Sequence, residues 1–136
     1  MAVNINNFVI DASAVLALLL PDEKNSEKAK KLLGIVVSGK NRLFAPKLLE
    51  FEVGNALKSA FLSKRIVYES LGKLINNFKR IPIIFTDINT AKIMELAVKL
   101  GISFYDASYI YLAKSKECKL LTLDRCLEGM VEKEVL

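Results

Sequence analysis

Carboxylates are the groups with which this 136-residue chain could do chemistry, because the sequence contains no histidine. A chain without imidazole forms neither a Ser-His-Asp or Cys-His hydrolase nor a histidine-ligated zinc site. Its two cysteines, Cys118 and Cys126, are too few for a structural zinc site, and their spacing matches no redox motif. We therefore expect reduced thiols, and chemistry that depends on carboxylates, hydroxyls, lysines and a bound metal ion.

Two aspartates follow apolar segments that are typical of buried strands. Asp11 comes directly after Phe8–Ile10, and Asp124 comes directly after Leu120–Leu123. In an α/β fold, ligands bind beyond the carboxyl ends of the parallel strands, where both aspartates are expected. A carboxylate at the end of a buried strand is costly unless it is paired or binds a cation. The alternative for Asp11 is a structural role as the N-cap of the next helix, with help from Ser13.

Two further acids lie on predicted helices. Asp106 is in line with an apolar stripe that includes Tyr109, where a solvated acid is not expected. The alternative is a capping box in which Ser103 is the N-cap. Glu52 belongs, with Asn55, to a narrow polar row between two apolar faces of its helix. A helix that is apolar on two sides is buried on both, for example by a second subunit, and Glu52 would then face a polar crevice.

Together these acids predict a metal site. Carboxylates that converge on one pocket repel one another and take up protons unless a divalent cation compensates their charge. All-oxygen ligands select a hard ion, Mg²⁺ or Mn²⁺. The chain is basic, with 20 Lys and Arg against 15 Asp and Glu, a net charge of +5 and a pI near 9.2. A metal ion in a basic protein indicates phosphate esters, since the ion can activate water, neutralise the phosphate and stabilise the leaving oxygen.

The elements that must position these acids alternate along the chain. Apolar runs predict strands at residues 8–10, 43–45, 81–85 and 119–123, and an edge strand near Val135. Helices are predicted at 12–20, 26–39, 46–64, 68–79, 89–100 and 103–114, with Pro46 in the first turn of the third and Asp87 as the cap of the fifth. This alternation predicts an α/β fold, a three-layer α/β/α sandwich with a mostly parallel central sheet. No linker or repeat divides the chain, so we expect one domain over residues 1–136.

No apolar segment is long enough to span a membrane. The longest apolar run, Ala14–Leu20, has seven residues, whereas a spanning helix needs about 20. It does not resemble a signal peptide either, because no basic residue precedes it and Asp11 interrupts the apolar stretch. We expect a cytoplasmic protein with no membrane association.

Four segments in order resemble the PIN-domain nucleases, and most of all the VapC-type toxins of toxin–antitoxin pairs. They are VIDASA at 9–14, PKLLEFEVGNAL at 46–57, YDASYIYLA at 105–113 and LTLD at 121–124. The resemblance covers essentially the whole chain and implies a PIN-like fold. It also implies an endoribonuclease that depends on Mg²⁺ or Mn²⁺, is usually a homodimer, and is silenced by a small antitoxin protein.

On this resemblance, the four acids take catalytic and metal-binding roles. Asp11 and Asp106 match the family's principal metal ligands, and Asp124 matches the fourth acid, after the penultimate strand. Glu52 matches the helix acid that binds metal or water. No acid is missing, which disfavours an inactive member. Because water attacks the phosphorus, cleavage of RNA is expected to leave 5′-phosphate and 3′-hydroxyl ends.

The resemblance also implies supporting residues beside the acids, and the basic residues of the chain include candidates for RNA binding. Ser13 matches the family's hydroxyl beside the first aspartate, and Asn55 matches the helix asparagine near the site. Plausible contacts to RNA phosphates are Lys40, Arg42, Lys47, Lys64, Arg65 and Arg125. For any one of these cations, a solvated surface is the simpler explanation.

Other functions remain open on the sequence. A haloacid-dehalogenase phosphotransferase needs a second aspartate where this chain has Ser13, and a receiver-type domain needs adjacent acids after its first strand. Within the resemblance, the alternatives are an RNA-processing nuclease without an antitoxin and a non-catalytic module that binds RNA or a protein partner.

Overall fold

The computed structural model describes residues 6–23 and 25–135, with side chains as far as Val131. Within this part, strands and helices alternate as the sequence predicts. The strands are β1 (Asn7–Ile10), β2 (Arg42–Pro46), β3 (Ile83–Thr86) and β4 (Lys119–Leu121). The helices are α1 (Ala12–Leu19), α2 (Glu27–Val37), α3 (Leu48–Leu62), α4 (Tyr68–Arg80), α5 (Thr90–Leu100), α6 (Phe104–Ser115) and α7 (Arg125–Val135). None of the helices described is long and apolar enough to cross a bilayer.

The sheet is parallel throughout, with the strand order β3-β2-β1-β4. From β1 to β3 the chain moves towards one edge of the sheet, and right-handed connections then place α1 to α4 on one face. The chain returns across the sheet to β4, so α5 and α6 cover the opposite face. Accordingly, α1 packs against α2, α3 and α4, whereas α6 packs against β1, β2 and β4. The predicted three-layer α/β/α sandwich is confirmed.

The change of direction creates a crevice at the carboxyl ends of β1 and β4. The chain leaves β1 towards β2 on one side, and β4 joins β1 from the other side. Such a switch point is where open α/β sheets bind ligands. The two strands that flank the crevice are fixed in register, with Ile10 opposite Leu121. Val9 and Ile10 are completely buried although they point to opposite faces, as expected for a central strand covered by helices on both sides.

Three local predictions are wrong. Pro46 is the last residue of β2, opposite Thr86, and does not begin α3. The end of a strand tolerates proline because the chain leaves the hydrogen-bond ladder there. The N-cap of α5 is Asn89, whose Oδ1 accepts a hydrogen bond of 3.1 Å from the amide of Lys92, and not Asp87.

The third wrong prediction is the edge strand near Val135, because residues 125–135 form α7. Strand β4 ends at Leu121, so Asp124 lies three residues beyond it and begins the helix. Its Oδ1 accepts hydrogen bonds from the amides of Cys126 (2.9 Å) and Leu127 (3.2 Å). Leu127 and Val131 are one turn apart and both are buried, so α7 packs through one apolar face.

Candidate active site

Asp11 is the most tightly held acid at the crevice, with 5% of its surface exposed. It follows β1 and is the N-cap of α1, where its Oδ1 accepts hydrogen bonds from the amide of Ala14 (3.0 Å) and the hydroxyl of Ser13 (2.7 Å). Its Oδ2 accepts a hydrogen bond of 2.5 Å from the hydroxyl of Thr122. Asp11 therefore has both expected roles, because it caps α1 and also lies at the carboxyl end of β1, where ligands bind.

Two hydroxyls connect Asp11 to the segment after β4. The oxygen of Ser13 accepts a hydrogen bond of 2.9 Å from the amide of Leu123, and that of Thr122 accepts one of 3.0 Å from the amide of Asp124. These bonds fix the backbone that carries Asp124, itself exposed, beside Asp11. Sequence reasoning missed Thr122. The signal was a hydroxyl at the end of a buried strand, two residues before an acid.

Glu52 reaches the site from α3, in the same layer of helices as α1. It lies on α3, and its Oε1 accepts a hydrogen bond of 2.5 Å from the hydroxyl of Tyr109 on α6. Tyr109 is 2% exposed, so its hydroxyl directs the carboxylate from within the core. We expected Tyr109 only as part of an apolar stripe. The available signal was its place one turn after Asp106, where a buried hydroxyl needs a partner.

Asp106 lies in the first turn of α6, which Ser103 caps by accepting a hydrogen bond of 3.0 Å from the Asp106 amide. The capping alternative is thus confirmed for Ser103. The carboxylate of Asp106 is nevertheless close enough to Asp124 and Glu52 to interact with both electrostatically. The dipole of the first helical turn favours a negative charge at this position.

The four acids form one electrostatic unit. Burial raises the pKa of Asp11, Glu52 and Asp106 above their usual values. Repulsion adds to this effect, because Asp124 raises the pKa of Asp11 and of Asp106, while Asp11 and Asp106 raise that of Glu52. Hydrogen bonds from hydroxyls lower the pKa of Asp11 and Glu52 in part. No lysine or arginine among the described residues contributes to these shifts, so the crevice has uncompensated negative charge.

A hard divalent cation fits this site by donor type and by charge. All the donors are oxygens, and a cation would relieve the repulsion that raises the pKa values. Among the side chains of residues 6–23 and 25–131, no three acidic or sulfur groups converge closely enough to form a metal site alone. Mg²⁺ is usually bound through one or two carboxylates and keeps several waters, so a looser set of acids is compatible with it.

The other predicted residues divide between the two edges of the sheet. Asn55 is exposed on α3, nearly one turn after Glu52. Lys47 and Arg125 are exposed and follow the carboxyl ends of β2 and β4, on the side of the acids. The Nζ of Lys47 forms an exposed ion pair of 2.9 Å with Asp87.

Three of the basic residues expected to contact RNA lie elsewhere. Lys40 precedes β2, and Arg42 begins it opposite Asn7. Both therefore lie at the amino ends of the strands, and the structure does not bring them to the acids. Arg65 is held by ion pairs with Asp22 (2.9 Å) and Glu23 (3.1 Å) after α1.

Comparison with known proteins agrees with this architecture. Residues 8–132 match the PIN domain family. The chain is 35% identical over 123 residues to ribonuclease VapC3 of Pyrobaculum aerophilum, covering 88% of this chain and 90% of that protein. It is 31% identical to exonuclease VapC9 of the same organism, covering 95% and 92%. Ribonuclease VapC1 of Mycobacterium tuberculosis is 34% identical, covering 85% and 84%.

Two crystal structures share the fold. A Pyrobaculum aerophilum protein superposes with a TM-score of 0.65 at 23% identity, covering 95% of this chain and 89% of that one. VapC20 of Mycobacterium tuberculosis, described as a toxin that cleaves the sarcin-ricin loop, superposes with a TM-score of 0.64 at 12% identity. The superposition covers 90% of this chain and 94% of that one. The family match extends over nearly the whole chain and includes all four acids. The chain belongs to the PIN-domain family, and within it to the VapC-type nucleases.

Proposed function

We propose that this protein is a divalent-metal-dependent endoribonuclease, with Mg²⁺ or Mn²⁺ as its cofactor. The observation that carries the proposal is the electrostatic repulsion among Asp11, Glu52, Asp106 and Asp124 near the switch point of the sheet, to which no compensating basic residue among those described contributes. The chain matches relatives named ribonucleases over most of their length, and this supports RNA as the substrate.

In this proposal, Asp11, Asp106 and Asp124 hold the cation. When bound, the cation supplies charge neutralisation at the phosphate and stabilisation of the departing oxygen. Ser13 and Thr122 keep the carboxylate of Asp11 in place through their hydrogen bonds. Together with the amide of Ala14, these hydroxyls fill three of the roughly four acceptor sites of the Asp11 carboxylate and leave one, on Oδ2, for the cation.

Glu52 orients the attacking water and takes its proton, while the hydroxyl of Tyr109 fixes the Glu52 carboxylate. The water oxygen bonds to phosphorus, the bond from phosphorus to the 3′-oxygen breaks, and a proton goes to that oxygen. The products are therefore a 5′-phosphate and a 3′-hydroxyl.

The purified protein with Mn²⁺ and a defined RNA tests this proposal. We expect cleavage with Mn²⁺ and none with EDTA, and fragments that a ligase joins without end repair. Products with a 2′,3′-cyclic phosphate would contradict water as the nucleophile, and full activity in EDTA would exclude the metal. RNA binding without cleavage under all these conditions would favour the non-catalytic module.

One relative is named an exonuclease, and this raises a second possibility for the same site. A circular RNA separates the two activities because it has no ends. An endonuclease linearises the circle in the presence of Mn²⁺, whereas an exonuclease leaves it intact and degrades only the linear form. We expect linearisation.

We propose that this protein is the toxin of a type II toxin–antitoxin pair, and that it is a cytoplasmic homodimer. The VapC relatives support it, and so does the outer side of α3, where Phe51 is 80% and Leu62 65% exposed. We expect the protein to sediment as a dimer and the Phe51→Glu variant to sediment as a monomer.

A neighbouring reading frame for a small protein that inhibits the nuclease would identify the antitoxin, and its absence would favour an RNA-processing enzyme.

A further inference from the structure

The amino ends of the strands carry a group of exposed basic residues on the side of the sheet opposite the acids. We call them the amino-edge cations: Lys40, Arg42, Lys79, Arg80, Lys116 and Lys119. They lie in the last turn of α4 or in the segments that lead into β2 and β4, and the ion pairs of the described residues include none of them.

The sheet brings these residues together although they are distant in sequence. Arg42 is opposite Asn7 in β1, and Lys119 is opposite Phe8 on the other side of the same strand. Arg80 ends α4, three residues before β3 begins at Ile83. Since neighbouring strands are about 4.8 Å apart, the row from β3 to β4 extends over about 14 Å.

The amino-edge cations give the amino ends of the strands a large excess of positive charge. Only one acid, Glu117, lies in the same connecting segments. Removing the six cations and this acid from the totals of 20 basic and 15 acidic residues leaves 14 of each. The six cations and Glu117 together carry a net charge of +5, while the other basic and acidic residues of the chain are equal in number.

Local structural roles do not explain the whole group. Lys79 and Arg80 lie in the last turn of α4 and Lys116 caps α6, where the helix dipole favours a positive charge. Lys40 lies two residues beyond the C-cap of α2 and Arg42 begins an interior strand of the sheet, so neither is in the last turn of a helix. Lys116 also lies over the ring of Phe44, with Nζ 4.5 Å from the centroid, and still exposes its side chain.

We propose that the amino-edge cations form a second RNA-binding surface, which holds the phosphate backbone away from the cleavage site. This inference rests on the proposed ribonuclease function and adds to it. Strand β2 has five residues, so the two edges of the sheet are about 15 Å apart. An RNA bound at both edges must extend around the sheet, whereas a fragment of a few nucleotides occupies only the acidic crevice.

Binding of a 30-nucleotide single-stranded RNA to the full chain tests this surface. The chain carries Asp106→Asn so that the RNA stays intact, and affinity is measured across a range of KCl concentrations. The edge variant carries Arg42→Gln, Arg80→Gln and Lys119→Gln. The matched control carries Lys31→Gln, Lys58→Gln and Lys73→Gln, three exposed residues on α2, α3 and α4 that lose the same charge.

We expect the edge variant to bind the RNA at least tenfold more weakly than the parent, and the control less than threefold more weakly. Three lost phosphate contacts should also make the slope of log K against log salt shallower by about 2. Equal weakening in both variants would overturn the proposal. So would binding to phosphatidylserine vesicles that is tighter than to the RNA and lost in the edge variant, since the surface would then serve a membrane.

Cleavage with Asp106 intact separates this inference from the proposed function. The edge variant should cut a tetranucleotide at the parental rate and cut the 30-nucleotide RNA with a KM raised at least tenfold. If no RNA is cut by any form of the chain, the nuclease proposal fails, while the binding comparison still decides the role of the amino-edge cations.

Discussion

The two edges of one sheet carry opposite charges in this protein. At the carboxyl edge, Asp11 and Asp124 cap α1 and α7, and Asp106 lies in the first turn of α6. The C-terminal ends of the helices that precede β2, β3 and β4 lie at the amino edge, together with the amino-edge cations. A parallel sheet with antiparallel helices places helix N-termini at one edge and C-termini at the other, and the dipoles favour acids and bases accordingly. The fold itself thus allows like charges to concentrate at each edge.

The two edges differ more in how the charges are held than in their sign. Asp11 is buried with three hydrogen bonds, and Glu52 is fixed by a buried tyrosine. The amino-edge cations are all exposed. Catalysis requires groups held in position, whereas binding of a phosphate backbone requires charge and tolerates movement. This difference predicts that substitutions at the carboxyl edge alter rates, and that those at the amino edge alter affinity.

The largest effect is expected for Asp11→Asn. Asparagine keeps the cap of α1, because its Oδ1 still accepts from Ala14 and Ser13, but it removes one of the negative charges that attract the cation. We expect the cleavage rate with Mn²⁺ to fall at least 10³-fold, with a change of Tm below about 4 °C.

Asp22→Asn is the matched control for this variant, because it removes the same charge at an exposed site where Asp22 binds Arg65. It should retain the parental cleavage rate. If both variants cut RNA equally well, Asp11 is only a structural cap.

Tyr109→Phe is expected to have the next largest effect. It removes the hydroxyl that donates to Glu52 and leaves the ring in the core. We expect the turnover rate to fall by about ten- to a hundredfold with little change in RNA affinity, since a mispositioned carboxylate slows proton transfer and does not contact the RNA backbone. Tyr111→Phe, on the same helix, should be neutral. A loss of affinity without a loss of turnover would assign Tyr109 to substrate binding.

The sequence predicted the sheet, the helices and the four acids because their signals are local. Buried parallel strands are apolar runs, helices show their periodicity and caps, and an acid after such a run is conspicuous. Two of the three errors have a common cause. Pro46 and Asp87 are residues typical of helix starts. The pairing of β2 with β3 extends β2 to Pro46, and the cap at Asn89 moves the start of α5 beyond Asp87. Propensity gives the element, and tertiary pairing decides its end.

Residues that act through other residues were the part that sequence could not supply. Thr122 and Tyr109 matter because they touch Asp11 and Glu52, which are 111 and 57 positions away. Lys40 and Arg42 were expected to contact RNA phosphates, but composition alone does not say at which end of a strand they lie. Only the parallel order of the sheet places these cations on the opposite edge.

The smallest effect is one of stability, and it has a defined dependence on pH. Burial and the charge of Asp124 raise the pKa of Asp106 in the folded protein, so ionised Asp106 destabilises the fold when no metal is present. We expect Asp106→Asn to raise the Tm in EDTA near pH 7 by about 2–4 °C, a modest gain because the site is partly screened by solvent. The gain should vanish as the pH falls below the ordinary pKa of 3.8, where the carboxyl is protonated in both the folded and the unfolded state. Asp87→Asn, at an exposed ion pair with Lys47, should give no gain in Tm.

Adding Mn²⁺ should raise the Tm of the parent more than that of Asp106→Asn, because the cation neutralises the charge that the substitution removes. A parent whose Tm exceeds that of the variant in EDTA at every pH would mean that the acids do not repel one another, and the carboxyl edge would then lose its distinction from the amino edge.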